Sequence, residues 1–208
     1  MLSRKSFLTF VNNLVAYSTG YIGLFFIARF MTNGHYNYGV VSFAIWFVGL
    51  FAFVSTIFDG AHVKRISQGE DEGQCMGTYI SLKTIATIAM VAVIFAGLLF
   101  WKFVLDRGFQ SPIHETVIYI MLLFFVLKQV GKVGVQTFIG KEMIAKAEIL
   151  KIMDQTVPTI FIIFVALTGG EAIELASTYL IGGILMALLA IFLLRDFKIK
   201  KPDLSMIK

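Results

Sequence analysis

The chain has 208 residues, 58% of them hydrophobic and only 15% charged, with a mean hydropathy of +0.82. A soluble domain cannot hide that much apolar surface, whereas a bilayer accepts it on the outside of every helix. The net charge of +5 would suggest nucleic acid for a soluble protein. In a membrane chain basic residues collect on the cytoplasmic side instead, so no nucleic-acid partner is expected.

Long apolar runs with only 3 prolines favour helices over a membrane barrel, whose strands would alternate polar and apolar residues. The single cysteine, Cys75, excludes an internal disulfide and a Cys-rich metal site, and no cofactor is called for. The first apolar run is too long for a signal-peptide core and has no small-residue cleavage site after it.

A helix needs roughly 20 apolar residues to cross the bilayer. Six segments qualify: about 7–31, 40–58, 77–104, 116–139, 156–170 and 172–194. The fifth is the least regular, with Pro158 inside it and Asp154-Gln155 just before it; only Thr168-Gly169-Gly170-Glu171 divides it from the sixth. The expected fold is therefore an all-α membrane bundle of six transmembrane helices over 1–194, followed by a basic tail or linker, 195–208.

An even number of spans puts both termini on one side, and the basic residues say which. Arg4, Lys5, Lys64, Arg65, Lys141, Lys146, Lys151, Arg195, Lys198, Lys200, Lys201 and Lys208 fall on the terminal side, against Arg107 and the bordering Lys102 on the other. That asymmetry predicts a multi-pass protein of the cell membrane with both ends cytoplasmic. The acidic run Glu70-Asp71-Glu72 then reads as a solvated loop tip.

Arg29, Lys83, Lys128 and Lys132 remain, all inside predicted spans, and Asp59 and Asp154 stand only at span ends. The intramembrane charge is thus expected to be wholly positive. A cation near the bilayer centre costs roughly 2.5–3.5 kcal/mol, so such residues usually face a cavity.

By depth, Lys128 lies roughly 18 Å from the outer end of its span, Lys132 one turn deeper, and Lys83 roughly 9–10 Å in from the cytoplasmic side. Arg29 lies near an outer end, where snorkelling to the interface explains it as well as function does. Lys128, Lys132 and Gln136 share an arc of about 80°, extended to about 100° by Gln129; Val126, Val130, Val133 and Thr137 lie opposite and suit lipid. Gly131 and Gly134 would allow close helix approach. Asn12 and Asn13 add polar groups at the level of Lys83 and Lys132, either as ligands or as interhelical hydrogen bonds. A cationic, amide-bearing cavity suits a phosphate or pyrophosphate and not an organic cation. All four cations are expected to point to one open side of the bundle, with Val126, Val130 and Val133 pointing away.

The stretches Ile27-Ala28-Arg29-Phe30-Met31, Tyr38-Gly39-Val40-Val41-Ser42-Phe43-Ala44 and Phe58-Asp59-Gly60-Ala61-His62-Val63-Lys64-Arg65-Ile66 carry a resemblance in order and spacing. Their pattern resembles the start of polysaccharide-biosynthesis (O-antigen type) flippases, relatives of the lipid II flippases and the multidrug-and-toxin extruders. The resemblance implies two bundles of about six helices that alternate access to a central cavity. It implies as substrate a polyprenyl-(pyro)phosphate-linked glycan, moved from the cytoplasmic to the outer leaflet. Arg29 matches the family's Ala-Arg position; the lysines of the fourth span are inferred from depth alone. Only one bundle is present, and the segment from Arg195 resembles the linker into a seventh helix. The chain therefore reads as one lobe, its partners being membrane lipids, the lipid-linked glycan and a second six-helix bundle.

Three other readings compete. A cation extruder would want a deep carboxylate. An intramembrane enzyme would want catalytic groups on the spans, and the three histidines, His35, His62 and His114, fall in predicted loops at different levels. A non-transporting scaffold or accessory subunit of a polysaccharide assembly complex would fit the short length.

Overall fold

The computed structural model describes residues 2–104, 108–109 and 111–202, with side chains from Ser6 onward. Arg107, Lys208 and the rest of segment 203–208 lie outside the described residues. The described residues form seven α-helices and no strand: α1 (Leu2–Phe30), α2 (Gly34–Ala52), α3 (Asp59–Ser67), α4 (Glu72–Leu99), α5 (Pro112–Gly140), α6 (Ile144–Thr168) and α7 (Ala172–Leu194). They make six segments long and apolar enough to cross a membrane, because α2 and α3 belong to one of them, Gly34–Ser67. The expected six-span architecture is therefore present.

Two spans differ from expectation. The second breaks at Phe53–Thr56, a 3₁₀ turn, and resumes as α3. Ser55 and Thr56 donate their hydroxyls to the carbonyls of Ala52 and Phe53, at 2.7 Å each. Such back-bonding competes with the regular helical ladder and tightens it. His62 therefore sits in a helix and is buried, not in a loop, while His35 and His114 lie in the first turns of α2 and α5.

The fifth span is longer than composition suggests. α6 starts at Ile144 and runs unbroken through Pro158, so Glu148, Lys151, Asp154 and Gln155 are helical. Ala147, Leu150 and Pro158 are buried along the same stripe, and that burial holds the polar first half of the helix in place.

The central element is α5, which α7 covers most extensively, with α2, α3 and α6 around it and α1 laid along α6. Small residues set these approaches. A Cβ at Gly131 would meet Met186 Sδ at 2.5 Å, and one at Gly134 would meet Leu150 at 2.9 Å and Ala190 at 3.2 Å. On α7, Gly182 leaves room for the Pro158 ring, whose Cγ would stand 2.5 Å from an added Cβ. Without a hydrophobic drive between helices in lipid, this close van der Waals contact is what holds them together. Turns are short: Asn33 (φ 52°) links α1 to α2, Glu142 (φ 57°) links α5 to α6, and Gly169 (φ 75°) ends α6 before the reciprocal Glu171–Glu174 cap of α7.

The termini-bearing end, here the basic end, is laced by ion pairs. Glu70, Asp71 and Glu72 form a solvated tip between α3 and α4, as expected, and also pair with Arg65 (3.2 Å), Lys200 (2.5 Å) and Lys141 (2.7 Å). Residues after α7 fold back across α4, where the Lys200 amide donates to the Gly73 carbonyl at 3.0 Å. An added Cβ on Gly77 would fall 1.9 Å from the Lys200 carbonyl oxygen, so glycine is what permits this crossing.

Candidate functional site

A cavity of about 320 Å³ opens between α1, α2, α5, α6 and α7. Its α1 wall has small residues, Ala16, Gly20 and Gly23, beside Leu24 and Ile27, and a Cβ added to Gly20 would meet nothing within 4 Å. Opposite them stand Lys128 of α5 and Asp154 of α6, with Lys128 Nζ 2.6 Å from Asp154 Oδ2. Lys128 also lies over the Phe124 ring at 5.4 Å. By helical rise, Lys128 is about 18 Å from the basic end of α5 and Asp154 about 15 Å from that of α6, so the pair sits deep in the span. Around it, Gln155, Thr159, Tyr38 and Tyr179 supply further polar groups. Pro158 has no N–H to offer the Asp154 carbonyl, which adds an acceptor beside the pair. The Asp154 Oδ1 atom is buried without a hydrogen-bond partner.

A second charged cluster lies at the helix break. Lys83 Nζ is 2.5 Å from Asp59 Oδ1 and donates to the Ser55 carbonyl at 3.0 Å. The Tyr79 hydroxyl donates to the same Asp59 oxygen at 2.7 Å. The His62 ring stacks on Tyr79 at 4.0 Å and its Nε2 meets Thr137 Oγ1 at 3.0 Å. The break between α2 and α3 is thereby fixed to α4 and α5. Lys132 is half-buried and within electrostatic reach of both pairs. It has no ion-pair partner among the described residues, and three lysines thus face two carboxylates.

The expectation of four uncompensated cations on one open side is overturned. Lys83 and Lys128 are paired with Asp59 and Asp154, because the break at Phe53–Thr56 and the early start of α6 carry those carboxylates inward from the span ends. Arg29 is exposed, and neither it nor Lys132 lines the cavity. Gln129 is buried, at 3% exposure, and borders a different groove, between α4, α5 and α7, with both amide atoms unpartnered. Val126, Val130 and Val133 line that same groove, with Val133 buried, and Thr137 is buried too. The cationic arc read around α5 therefore spans two separate faces, because α4 packs against what looked like the lipid side. Gln136 is half-buried and lines neither cavity.

Asn12 takes the interhelical role. Its amide donates to the buried Glu148 of α6, which also accepts from Thr9 at 3.3 Å and pairs with Lys151 at 2.8 Å; Asn13 is exposed. Sequence reading did not assign Glu148, Asp154 and Gln155 to the site, because the apolar window begins only at 156, and passed over Thr159 inside that window. The signal available was the spacing Ala147-Leu150-Asp154-Pro158, which continues a single helical stripe toward the N-terminus.

Fold and site together define a multi-pass helical membrane protein with a charged cavity inside its bundle. The family model described as polysaccharide biosynthesis protein matches residues 2–208, and the chain belongs to that family, whose members are typically membrane flippases. No curated protein and no solved structure matches the chain.

Proposed function

We propose that the protein is one lobe of a flippase for polyprenyl-(pyro)phosphate-linked oligosaccharides, working by alternating access with a second six-helix bundle. The observation that carries this reading is the Lys128–Asp154 pair, deep in the membrane at the wall of a cavity faced by glycines. Membership of a polysaccharide biosynthesis family supports a glycan-bearing cargo.

In this reading Asp154 keeps Lys128 in place and limits its cost in the membrane while the cavity is empty. An arriving (pyro)phosphate competes for the ammonium, and Lys132 supplies the surplus positive charge nearby. Gln155, Thr159, Tyr38 and Tyr179 offer donors and acceptors to sugar hydroxyls. The thin α1 wall at Ala16, Gly20 and Gly23 leaves room for the glycan between this bundle and its partner. A paired lysine suits a transporter, since a site that binds too tightly would not release its cargo.

The test is flipping of a fluorescent polyprenyl-pyrophosphate oligosaccharide in vesicles holding the complete transporter. Lys128→Ala abolishes flipping with membrane insertion intact, while Lys128→Arg keeps part of it. Wild-type flipping by Lys128→Ala would make the pair purely structural. A second reading draws on Asp154 itself: a deep carboxylate is what an organic-cation extruder needs. Cation efflux that depends on Asp154 and survives Lys128→Ala would favour it.

A further inference from the structure

The groove between α4, α5 and α7 has a volume of about 570 Å³ and is distinct from the Lys128 cavity. Its walls are mostly aliphatic, Ile80 and Ile88 of α4, Val126 and Val130 of α5, Ile191 and Leu194 of α7, with the buried Gln129 amide on the α5 side. Three polar residues on its α4 side turn apolar parts toward it. The Lys83 ammonium is held by Asp59 and the Ser55 carbonyl, leaving its methylenes on the wall. The Thr84 and Thr87 hydroxyls are spent on the Ile80 and Lys83 carbonyls at 2.8 and 2.7 Å.

At the basic end the groove changes character. Arg195 lines its mouth beside Phe197 and Ile199, and the tail that carries them is fixed across α4 by Lys200. Lys198 and Lys201 are exposed on the same tail. Arg195 lies over the Phe192 ring at 4.4 Å, and its ion pair among the described residues is with Asp196, at 3.6 Å with both side chains largely exposed, so its guanidinium is open to a stronger anion. Packing of Gly134 against Ala190 sets the register of α5 and α7, which puts Arg195 about 15 Å nearer the basic end than Gln129. One leaflet of a ~30 Å hydrocarbon core is about as deep. An apolar trough one leaflet long, with a basic rim at the headgroup level, matches a single class of molecule.

We propose that this groove is a binding site for an anionic phospholipid of the adjacent leaflet, with one acyl chain along α5 and the phosphate on Arg195 and the basic tail. The site is separate from the proposed substrate cavity, and its test needs no transport. Native mass spectrometry of the purified full chain, titrated with phosphatidylglycerol or phosphatidylcholine, reads occupancy directly. Phosphatidylglycerol binds about fivefold or more tightly, in line with one basic residue at a lipid surface. Arg195→Gln, at an exposed position, brings the two lipids level, and Val130→Trp weakens both by filling the groove. A photoactivatable acyl chain on phosphatidylglycerol labels 84–88 of α4 and 126–133 of α5, which reports the site even where Val130→Trp fails to fold. Equal affinity for both lipids with no effect of Arg195→Gln, or label spread evenly around the bundle, overturns the proposal. Displacement of phosphatidylglycerol from the groove by traces of polyprenyl phosphate overturns it too, making the groove a seat for the cargo's tail.

Discussion

Replacing Asp154 by Asn keeps the shape of the side chain and removes the charge that neutralises Lys128. Taking one partner from a fully buried ion pair costs about 3–5 kcal/mol. The Lys128 side chain keeps 27% of its exposure and that of Asp154 12%, and the Phe124 ring partly offsets the loss. The expected destabilisation of Asp154→Asn is therefore lower, about 2–3 kcal/mol. Replacing both, Lys128→Met with Asp154→Leu, removes the buried charges together and should return stability to within about 1 kcal/mol of wild type. Reversible unfolding in mixed micelles, run as a double-mutant cycle, measures this. The proposed cargo site adds a second expectation: the double variant is stable but does not flip. Single and double variants all within about 0.5 kcal/mol of wild type would show that the pair is well solvated, and the reasoning from membrane depth would fail.

Glu148→Ala strips the buried Asn12 amide of its acceptor and should cost about 1–3 kcal/mol by the same unfolding assay, because Asn12 stays desolvated while Lys151, over a third exposed, turns to water. Gln129→Leu removes two buried, unpartnered amide atoms and should be neutral or stabilising by up to about 2 kcal/mol; a loss of stability would mean the amide has a partner in the membrane. Gly77→Ala should lift the tail from α4, seen as faster tryptic cleavage after Lys198 and Lys200, with the six spans intact. The Asp71–Lys200 contact holds the Asp71 carboxyl below its ordinary range, chiefly through the lysine hydrogen bond. With the docked pKa depressed, the contact is complete above the ordinary carboxylate value and is lost as pH falls through the docked one. The distance between spin labels on α4 and on the tail should accordingly be flat across neutral pH and lengthen only in acid.

The span count was legible because long apolar runs leave few alternatives in a bilayer, and α7 was found at its observed bounds, 172–194. Interior polar structure was not legible, for a physical reason. Hydropathy windows discard helix turns that carry charge, so the first half of α6 was read as a loop and its carboxylates as interfacial. Asp59 escaped likewise, since the turn at Phe53–Thr56 arises from hydroxyl back-bonding and tertiary contacts that no window detects. Helical periodicity placed Lys128 and Gln129 on one polar arc. Which neighbour covers which side depends on the packing of α4 and α7 around α5, and a single helix carries no record of it. Close approach through Gly131 and Gly134 was legible because small residues are what adjacent membrane helices require.

The central claim, that the cavity at Lys128 receives a lipid-linked glycan, is tested most directly by cross-linking from inside it. A photoreactive phenylalanine analogue at Gly20, which borders open space on the cavity wall, is irradiated in membranes that contain radiolabelled polyprenyl-pyrophosphate oligosaccharide. The same group at Ile85, exposed on α4 away from the cavity, is the control. The account predicts label at position 20, lost on adding Lys128→Ala and on competition by unlabelled lipid-linked glycan, and none at 85. Equal labelling at both positions, or labelling at 20 that ignores Lys128→Ala, would contradict it.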